Sequence, residues 1–300
     1  MKIYGTTSSF HFKLAITVII LALQLFLKSA MAEIEVQGHR GARSALPENS
    51  LPGFNYALEL GVDTLELDMG VSKDGVVVVV HDQKINPTIC QYKNGEPIEG
   101  ELWIHQLSLD EIKAIDCGSK VNPRFSQQTL IPGTEIPTLA EVFQLVKDSS
   151  FSKAEDVLFN IETKSNPSQP QAQPEPEVFI KAVLAVIDEF DLRDRVCIQS
   201  FDHRTLLAAH QYAPEVQRSA LFERPVDNWA EAALEVKADI VSPHFKLISK
   251  DNVVSMQAAG LRVIPWTANT VEQWNTLLEL GVDGIISDDP AALLQHLARR

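Results

Sequence analysis

Glu66 and Asp68 stand two residues apart in the stretch DTLELDM. In an extended strand that spacing puts both carboxylates on one face. The turn residues Lys73-Asp74-Gly75 follow, then the run VVVVVH, whose antiparallel return sets His81 roughly opposite Asp68. Glu162 and Lys164 repeat the same-face spacing farther along, and His39 with Arg40 ends the earlier run EIEVQGH. Three carboxylates converging on one point repel one another and acquire raised pKa values unless a cation neutralises them. Each acid alone also reads as an ordinary strand-end residue paired with Lys or Arg. Together, Glu66, Asp68 and Glu162 form an all-oxygen set that suits one divalent cation, Ca²⁺ or Mg²⁺, better than zinc. A lone histidine near a core is commonly structural, but His39 and His81, flanking such a site, suit general acid and base work near neutral pH. Arg40 and Lys164 supply the local positive charge that an anionic substrate needs, and a guanidinium matches phosphate geometry. Trp266 reads equally as a lining of the mouth or as core. Arg43, Glu48 and Asn49 are weaker candidates, with Glu48 also readable as a loop anchor. His105, His203, His210, His244 and His296 have no comparable companions and stay unassigned.

The elements that would position these groups are short apolar runs alternating with helical periodicity. Strand candidates are EIEVQGH, DTLELDM, VVVVVH, DVLFNIE, RVCIQSF, QRSALF, ADIVSP, LRVIPWT and DGIISD. Helix-period segments include 52–60, 138–146, 178–190, 271–280 and 291–298, and Thr138 followed by Glu141 makes a capping box. Nine runs exceed an eight-stranded barrel by one. GVSKDG is too short for a helical crossover, so the valine run reads as an antiparallel return. Eight strands remain, and an α/β fold of the (β/α)8 TIM-barrel type leads over an open doubly wound sheet, for which no glycine-rich nucleotide fingerprint appears. Chemistry then belongs at the C-terminal strand ends, where the polar residues above lie. Two segments interrupt the alternation: a polar insertion over 83–136 with one helix near 108–115, and the proline-rich 165–177, read as a solvated loop.

Lys2 and Lys13 precede an apolar run over 14–27, and Ala30-Met31-Ala32 follows. This reads as a secretory signal peptide, 1–32, cleaved near Ala32 and releasing the chain outside the cytoplasm or into a periplasm, with a retained signal anchor as the alternative. Residues 33–300 are then a single barrel domain without stable membrane insertion. The net charge of −14 opposes nucleic acid and anionic membrane surfaces as partners. An anionic ligand therefore needs a local positive feature. Of three cysteines, Cys90 and Cys117 bracket part of the insertion and are plausible disulfide partners in an oxidising compartment, while Cys197 in VCIQSF reads as a buried thiol.

GHRGARSALPENS at 38–50, ELDMGVSKDGVVVVVHD at 66–82, NIETK at 160–164, QSF at 199–201, WTAN at 266–269 and ISDDP at 286–290 resemble, in order, the motifs of the glycerophosphodiester phosphodiesterase family. The resemblance covers nearly all of 33–300. It implies a (β/α)8 barrel and small-molecule glycerophosphodiester substrates, deacylated phospholipids such as glycerophosphocholine, cleaved to glycerol 3-phosphate and an alcohol. It also implies His39 and His81 as the acid/base pair, Glu66, Asp68 and Glu162 as metal ligands, and Arg40 and Lys164 as phosphate contacts. In the implied mechanism one histidine takes a proton from the hydroxyl beside the phosphate and the other protonates the leaving alcohol. Water then opens the resulting cyclic diester with the two roles exchanged. Thr163 and Ser287 depart from the usual motif residues, and the proline-rich loop is less usual. A phospholipase acting on intact lipid and a non-catalytic secreted barrel are the competing readings. Head-group preference and oligomeric state stay open.

Overall fold

The computed structural model describes residues 34–300, of which Glu35–Arg300 form one compact unit. The proposed signal segment lies outside the described residues. Among the described residues, no helix is long and apolar enough to cross a membrane.

Eight parallel strands make the barrel wall. They are β1 (Glu35–Gly38), β2 (Thr64–Val71), β6 (Leu158–Thr163), β7 (Val196–Ser200), β8 (Gln217–Phe222), β9 (Ile240–Pro243), β10 (Arg262–Val263) and β11 (Gly284–Ser287). Neighbours pair in the order β10-β9-β8-β7-β6-β2-β1-β11. At the seam Pro265 has no N–H to give to a ladder, and β10 spans only two residues. The backbone still closes the ring there, by Asp283 N to Val263 O, Ile286 N to Pro265 O and Ala268 N to Ile286 O at 2.9–3.1 Å.

Outside the wall lie α1 (Leu51–Leu60), α3 (Leu139–Lys147), α4 (Pro176–Glu189), α5 (His203–Tyr212), α6 (Trp229–Glu235), α7 (Lys250–Ala258), α8 (Val271–Leu280) and α9 (Pro290–Leu297). Their starts are written locally. Thr138 and Glu141 form the reciprocal capping box at α3, and Ser50 caps α1 by accepting from Gly53 N. Each buries an apolar stripe against the sheet, as α4 does with Phe179, Ile180, Val183, Leu184 and Ile187.

The valine run is β3 (Val77–Val79), antiparallel to β2 and off the ring. The tight turn between them is closed by Ser72 N to Val76 O, 2.9 Å, with Gly75 at φ +83°. This turn fixes the register as Met69 with Val79 and Gly70 with Val78. Asp68 O consequently accepts from Val80 N at 2.8 Å, so Val80, not His81, stands opposite Asp68. The expected register is one residue off, and His81 lies just past the last rung.

The 83–136 insertion is less polar inside than its composition implied. It holds a two-stranded sheet of β4 (Gln91–Tyr92) and β5 (Ile115–Asp116), the short α2 (Leu109–Lys113), and an apolar cluster of Ile85, Cys90, Ile98, Ile104, Ile112, Ile115 and Ile136. Cys90 and Cys117 are disulfide-bonded, and Cys197 is a buried free thiol whose pKa burial pushes up. Closing a loop with a sequence separation of 27 contributes about 3–4 kcal/mol in the chain-entropy view. The proline-rich 165–177 is anchored, in contrast to the expectation of a solvated loop. Gln173 is buried, its Oε1 accepts from Val71 N at 3.0 Å, and Pro176 opens α4 at the first turn.

Non-reducing peptide mapping of the oxidised protein should recover a Cys90–Cys117 crosslink and an unmodified Cys197. Labelling of Cys197 by a thiol reagent should begin only in denaturant. Free thiols at both Cys90 and Cys117 would refute the pairing.

Candidate active site at the C-terminal mouth of the barrel

Strand register brings the acids together. Asp68 on β2 is the direct cross-strand partner of Glu162 on β6, and Glu162 is that of Gln199 on β7. Glu66, two residues before Asp68, reaches the same place from below. One ligand atom from each of Glu66, Asp68 and Glu162 lies within 4.8 Å of the others, and all three residues are buried. Beneath them the barrel interior is polar. Asn160 Nδ2 donates to Gln37 Oε1 at 2.7 Å and to Gln199 Oε1 at 3.0 Å, and Gln199 Nε2 donates to Glu66 Oε1 at 2.8 Å. Asn49 Nδ2 donates to Asp68 Oδ2 at 2.7 Å.

The electrostatics follow from burial. Burial, and then the charges of Asp68 and Glu162, hold Glu66 well above the usual carboxylate range. Burial raises Glu162 as well, against the pull of Lys164. Asp68, which burial alone would also raise, is held well below that range by Lys164 and Arg40. Lys164 Nζ stands 2.5 Å from Glu162 Oε1 and 3.0 Å from Asp68 Oδ1, and Arg40 Nε stands 3.2 Å from Asp68 Oδ2. Neither of the two Asp68 contacts has hydrogen-bond alignment: Asp68 Oδ1 and Arg40 Nε are buried without a hydrogen-bond partner. A buried carboxylate oxygen facing two further carboxylates, with only an unaligned ammonium nearby, has the donor chemistry of a hard divalent cation site.

His39 enters from the β1 end. Gly38 and Gly41 make the tight bend possible: a Cβ on Gly38 would meet Gly41 O at 2.3 Å, and Gly41 has φ +86° with Gly53 C only 2.8 Å from a would-be Cβ. Between them Arg40 takes φ +51°, a conformation costly for a side-chain-bearing residue, and its N–H donates to Glu66 Oε2 at 2.9 Å. Glu48 binds Arg40 Nη1 at 2.7 Å and Arg43 Nη1 at 3.5 Å, so it anchors the loop.

His39 Nδ1 lies 2.5 Å from Asp288 Oδ1, and its Nε2 faces Glu66 Oε2 at 3.9 Å. Asp288 is a site residue that the strand-end reading passed over, although it follows directly on the last strand in ISDDP. Arg43 Nε donates to Asp288 Oδ1 at 2.5 Å, and Asn269 Nδ2 to Asp288 Oδ2 at 2.7 Å. Burial would raise Asp288, but the His39 hydrogen bond and the Arg43 charge keep it ionised and below its usual range. Burial, and next Arg43, push His39 down to about 3. The histidine is thus neutral, and its contact with the carboxylate puts the proton on Nδ1 and leaves the Nε2 lone pair toward the mouth.

His81 is more open, with its side chain 33% exposed and Nδ1 at 2.7 Å from Asp82 Oδ1. Of the described histidines, His39 and His81 line the mouth cavity of about 250 Å³, together with Arg40, Arg43, Glu66, Arg124, Glu162, Lys164 and Trp266. Trp266 both lines this cavity and packs inward, with Nε1 donating to Ser242 O at 2.9 Å and its ring edge-on to Phe201. A larger cleft of about 770 Å³ shares His81, Glu162, Lys164 and Phe201 with the mouth and runs outward between the insertion and the 165–169 segment. Arg124, in the insertion, carried no periodic signal that sequence reasoning could use.

Residues 39–292 match the family model described as the glycerophosphoryl diester phosphodiesterase family. The chain is 35% identical over 267 residues to a glycerophosphodiester phosphodiesterase of Caldanaerobacter subterraneus, covering 88% of this chain and 98% of that protein. It is 30% identical over 261 residues to one from Bacillus subtilis, covering 84% and 82%. A solved structure from Silicibacter pomeroyi superposes with a TM-score of 0.82 at 27% identity over 89% of this chain and 94% of that one. The Oleispira antarctica phosphodiesterase solved with its product sn-glycerol-3-phosphate shares the fold, with a TM-score of 0.72 at 24% identity over 88% and 96%.

Histidine ¹⁵N NMR should find His39 neutral and protonated on Nδ1 from pH 7 down to about 4. An unfolded imidazole binds a proton below about 6.5, whereas the folded one does not until about 3. The stability contributed by His39 is therefore full at neutral pH and is lost as pH falls through that window. Titration of His39 near 6.5 in the folded protein would refute its burial beside Arg43.

Proposed function

The chain belongs to the glycerophosphoryl diester phosphodiesterase family, and we propose that its mouth hydrolyses glycerophosphodiesters to glycerol 3-phosphate and an alcohol by histidine acid/base chemistry at a divalent-cation site. The observation that carries this reading is the buried trio of Glu66, Asp68 and Glu162 with His39 and His81 on the same cavity wall. Glu66, Asp68 and Glu162 would hold Ca²⁺ or Mg²⁺. When bound there, the cation supplies positive charge that favours ionisation of a nearby hydroxyl and stabilises charge on phosphoryl oxygen.

The chain's own residues do the rest. His39, fixed by Asp288 through Nδ1, offers Nε2 as a proton acceptor whose orientation does not wander. His81, more exposed and oriented by Asp82, stands between the mouth and the outer cleft, suited to exchange a proton with an alcohol oxygen leaving toward that cleft. Arg40 and Lys164 present fixed cations to the phosphate. Cavity walls formed by the insertion leave room for the alcohol half of the substrate. We further propose that the N-terminal segment directs secretion, a reading supported by the Cys90–Cys117 disulfide.

Release of glycerol 3-phosphate from glycerophosphocholine should be abolished by chelation and restored by Ca²⁺ or Mg²⁺. His39→Ala and His81→Ala should each fall in kcat by on the order of 10²–10⁴ while keeping the wild-type circular dichroism spectrum. Asp288→Asn should lower kcat with little change in KM, because the carboxylate positions the imidazole without touching substrate. Chelator-resistant turnover would remove the cation from the proposal, and near-wild-type activity in either histidine variant would remove that residue.

A further inference from the structure

Every basic side chain on the mouth wall except one already faces carboxylate. Arg40 is bound to Glu48 and Asp68, Arg43 to Asp288 and Glu48, and Lys164 to Asp68 and Glu162. Glu66 and Glu162 line the same cavity, and the whole chain carries a net charge of −14. The field met by an incoming anion is therefore largely cancelled locally and repulsive at long range. Arg124 is different: it lines the cavity from the insertion, is exposed, and has no carboxylate partner among the described residues.

Its position is held by the fold. Asn122 Oδ1 accepts from Arg124 N at 3.0 Å and closes the turn that carries it. The next ring, Phe125, has the Arg124 guanidinium 5.6 Å from its centroid and that of Arg43 at 5.0 Å. Downstream, Gln128 Nε2 donates to both Arg43 O and Leu46 O at 2.7 Å, and Thr129 N donates to Ala45 O at 2.8 Å. The insertion segment is thus clamped onto the loop that carries His39 and Arg43, and Arg124, beside the Phe125 ring, is the charge at the end of the clamp that faces no carboxylate among the described residues.

We propose that Arg124 captures the phosphodiester anion at the mouth and positions its phosphate, making the insertion a contributor to substrate binding. The inference rests on the functional reading above and deepens it. A guanidinium offers phosphate a planar two-donor edge, which Lys keeps only as charge and Gln not at all.

The test compares wild type, Arg124→Gln and Arg124→Lys with glycerophosphocholine in the presence of the restoring cation, at low and at high salt. Arg124→Gln should raise KM about tenfold with kcat within about twofold, the pattern of lost binding. Added salt should also shift KM upward less in Arg124→Gln than in wild type, and Arg124→Lys should recover part of both effects. Since Arg124 is exposed, thermal melting of the variants should match wild type, separating binding from folding. Active wild type with an unchanged KM in Arg124→Gln, or a fall in kcat at constant KM, overturns the role of Arg124 while leaving the functional reading standing. A wild type that releases no glycerol 3-phosphate overturns that reading and this inference with it.

Discussion

Three carboxylates are packed into one buried volume, and the rest of the mouth is organised around that constraint. Like charges in a low-dielectric site cannot all ionise without compensation, and here Glu66 and Glu162 are pushed up while Asp68 is pushed down. Compensation comes from several directions. The Gln37–Asn160–Gln199 amides fill the barrel below, Asn49 binds Asp68 from the first loop, and Arg40 and Lys164 bring positive charge from two different strand ends. Arg40 holds a left-handed backbone conformation so that its amide reaches Glu66. Backbone strain of this kind persists only where surrounding contacts over-determine it.

A second network serves the histidine. His39, Asp288, Arg43, Asn269 and Glu48 link the loop after β1 to the loop after β11, adjacent strands at opposite ends of the sequence. Asp288 takes bonds from three groups, so its charge is fixed in place, while burial and the Arg43 charge keep the imidazole beside it neutral. The two networks meet at Glu66, which faces His39 Nε2 on one side and the other acids on the other. Glu48 joins them a second time, binding Arg40 of the acid network and Arg43 of the histidine network, so His39 and the acid cluster are positioned together.

How much of this was legible in the sequence depended on range. The same-face placement of Glu66 and Asp68 follows from the two-residue strand period, and the capping box at Thr138 and Glu141 from local chemistry, so both were readable. The pairing of Asp68 with Val80 was missed by one residue because the turn between Ser72 and Val76 sets the register by its own hydrogen bonds. Asp288 escaped because its role depends on a partner 249 residues away. The insertion read as polar because its apolar residues are spaced for a small irregular core, without helix or strand period. Arg124 was invisible for the same reason. The proline-rich segment looked solvated by composition, yet one buried glutamine pins it to β2.

The central claim is that the acid trio is a site for one divalent cation. Calorimetric titration of the metal-depleted chain with Ca²⁺ and with Mg²⁺, in wild type and in a Glu66→Gln/Glu162→Gln variant, tests it most directly. One ion bound per wild-type chain, with binding lost in the variant, is the predicted result. Failure of wild type to bind either ion, or undiminished binding in the variant, would contradict it.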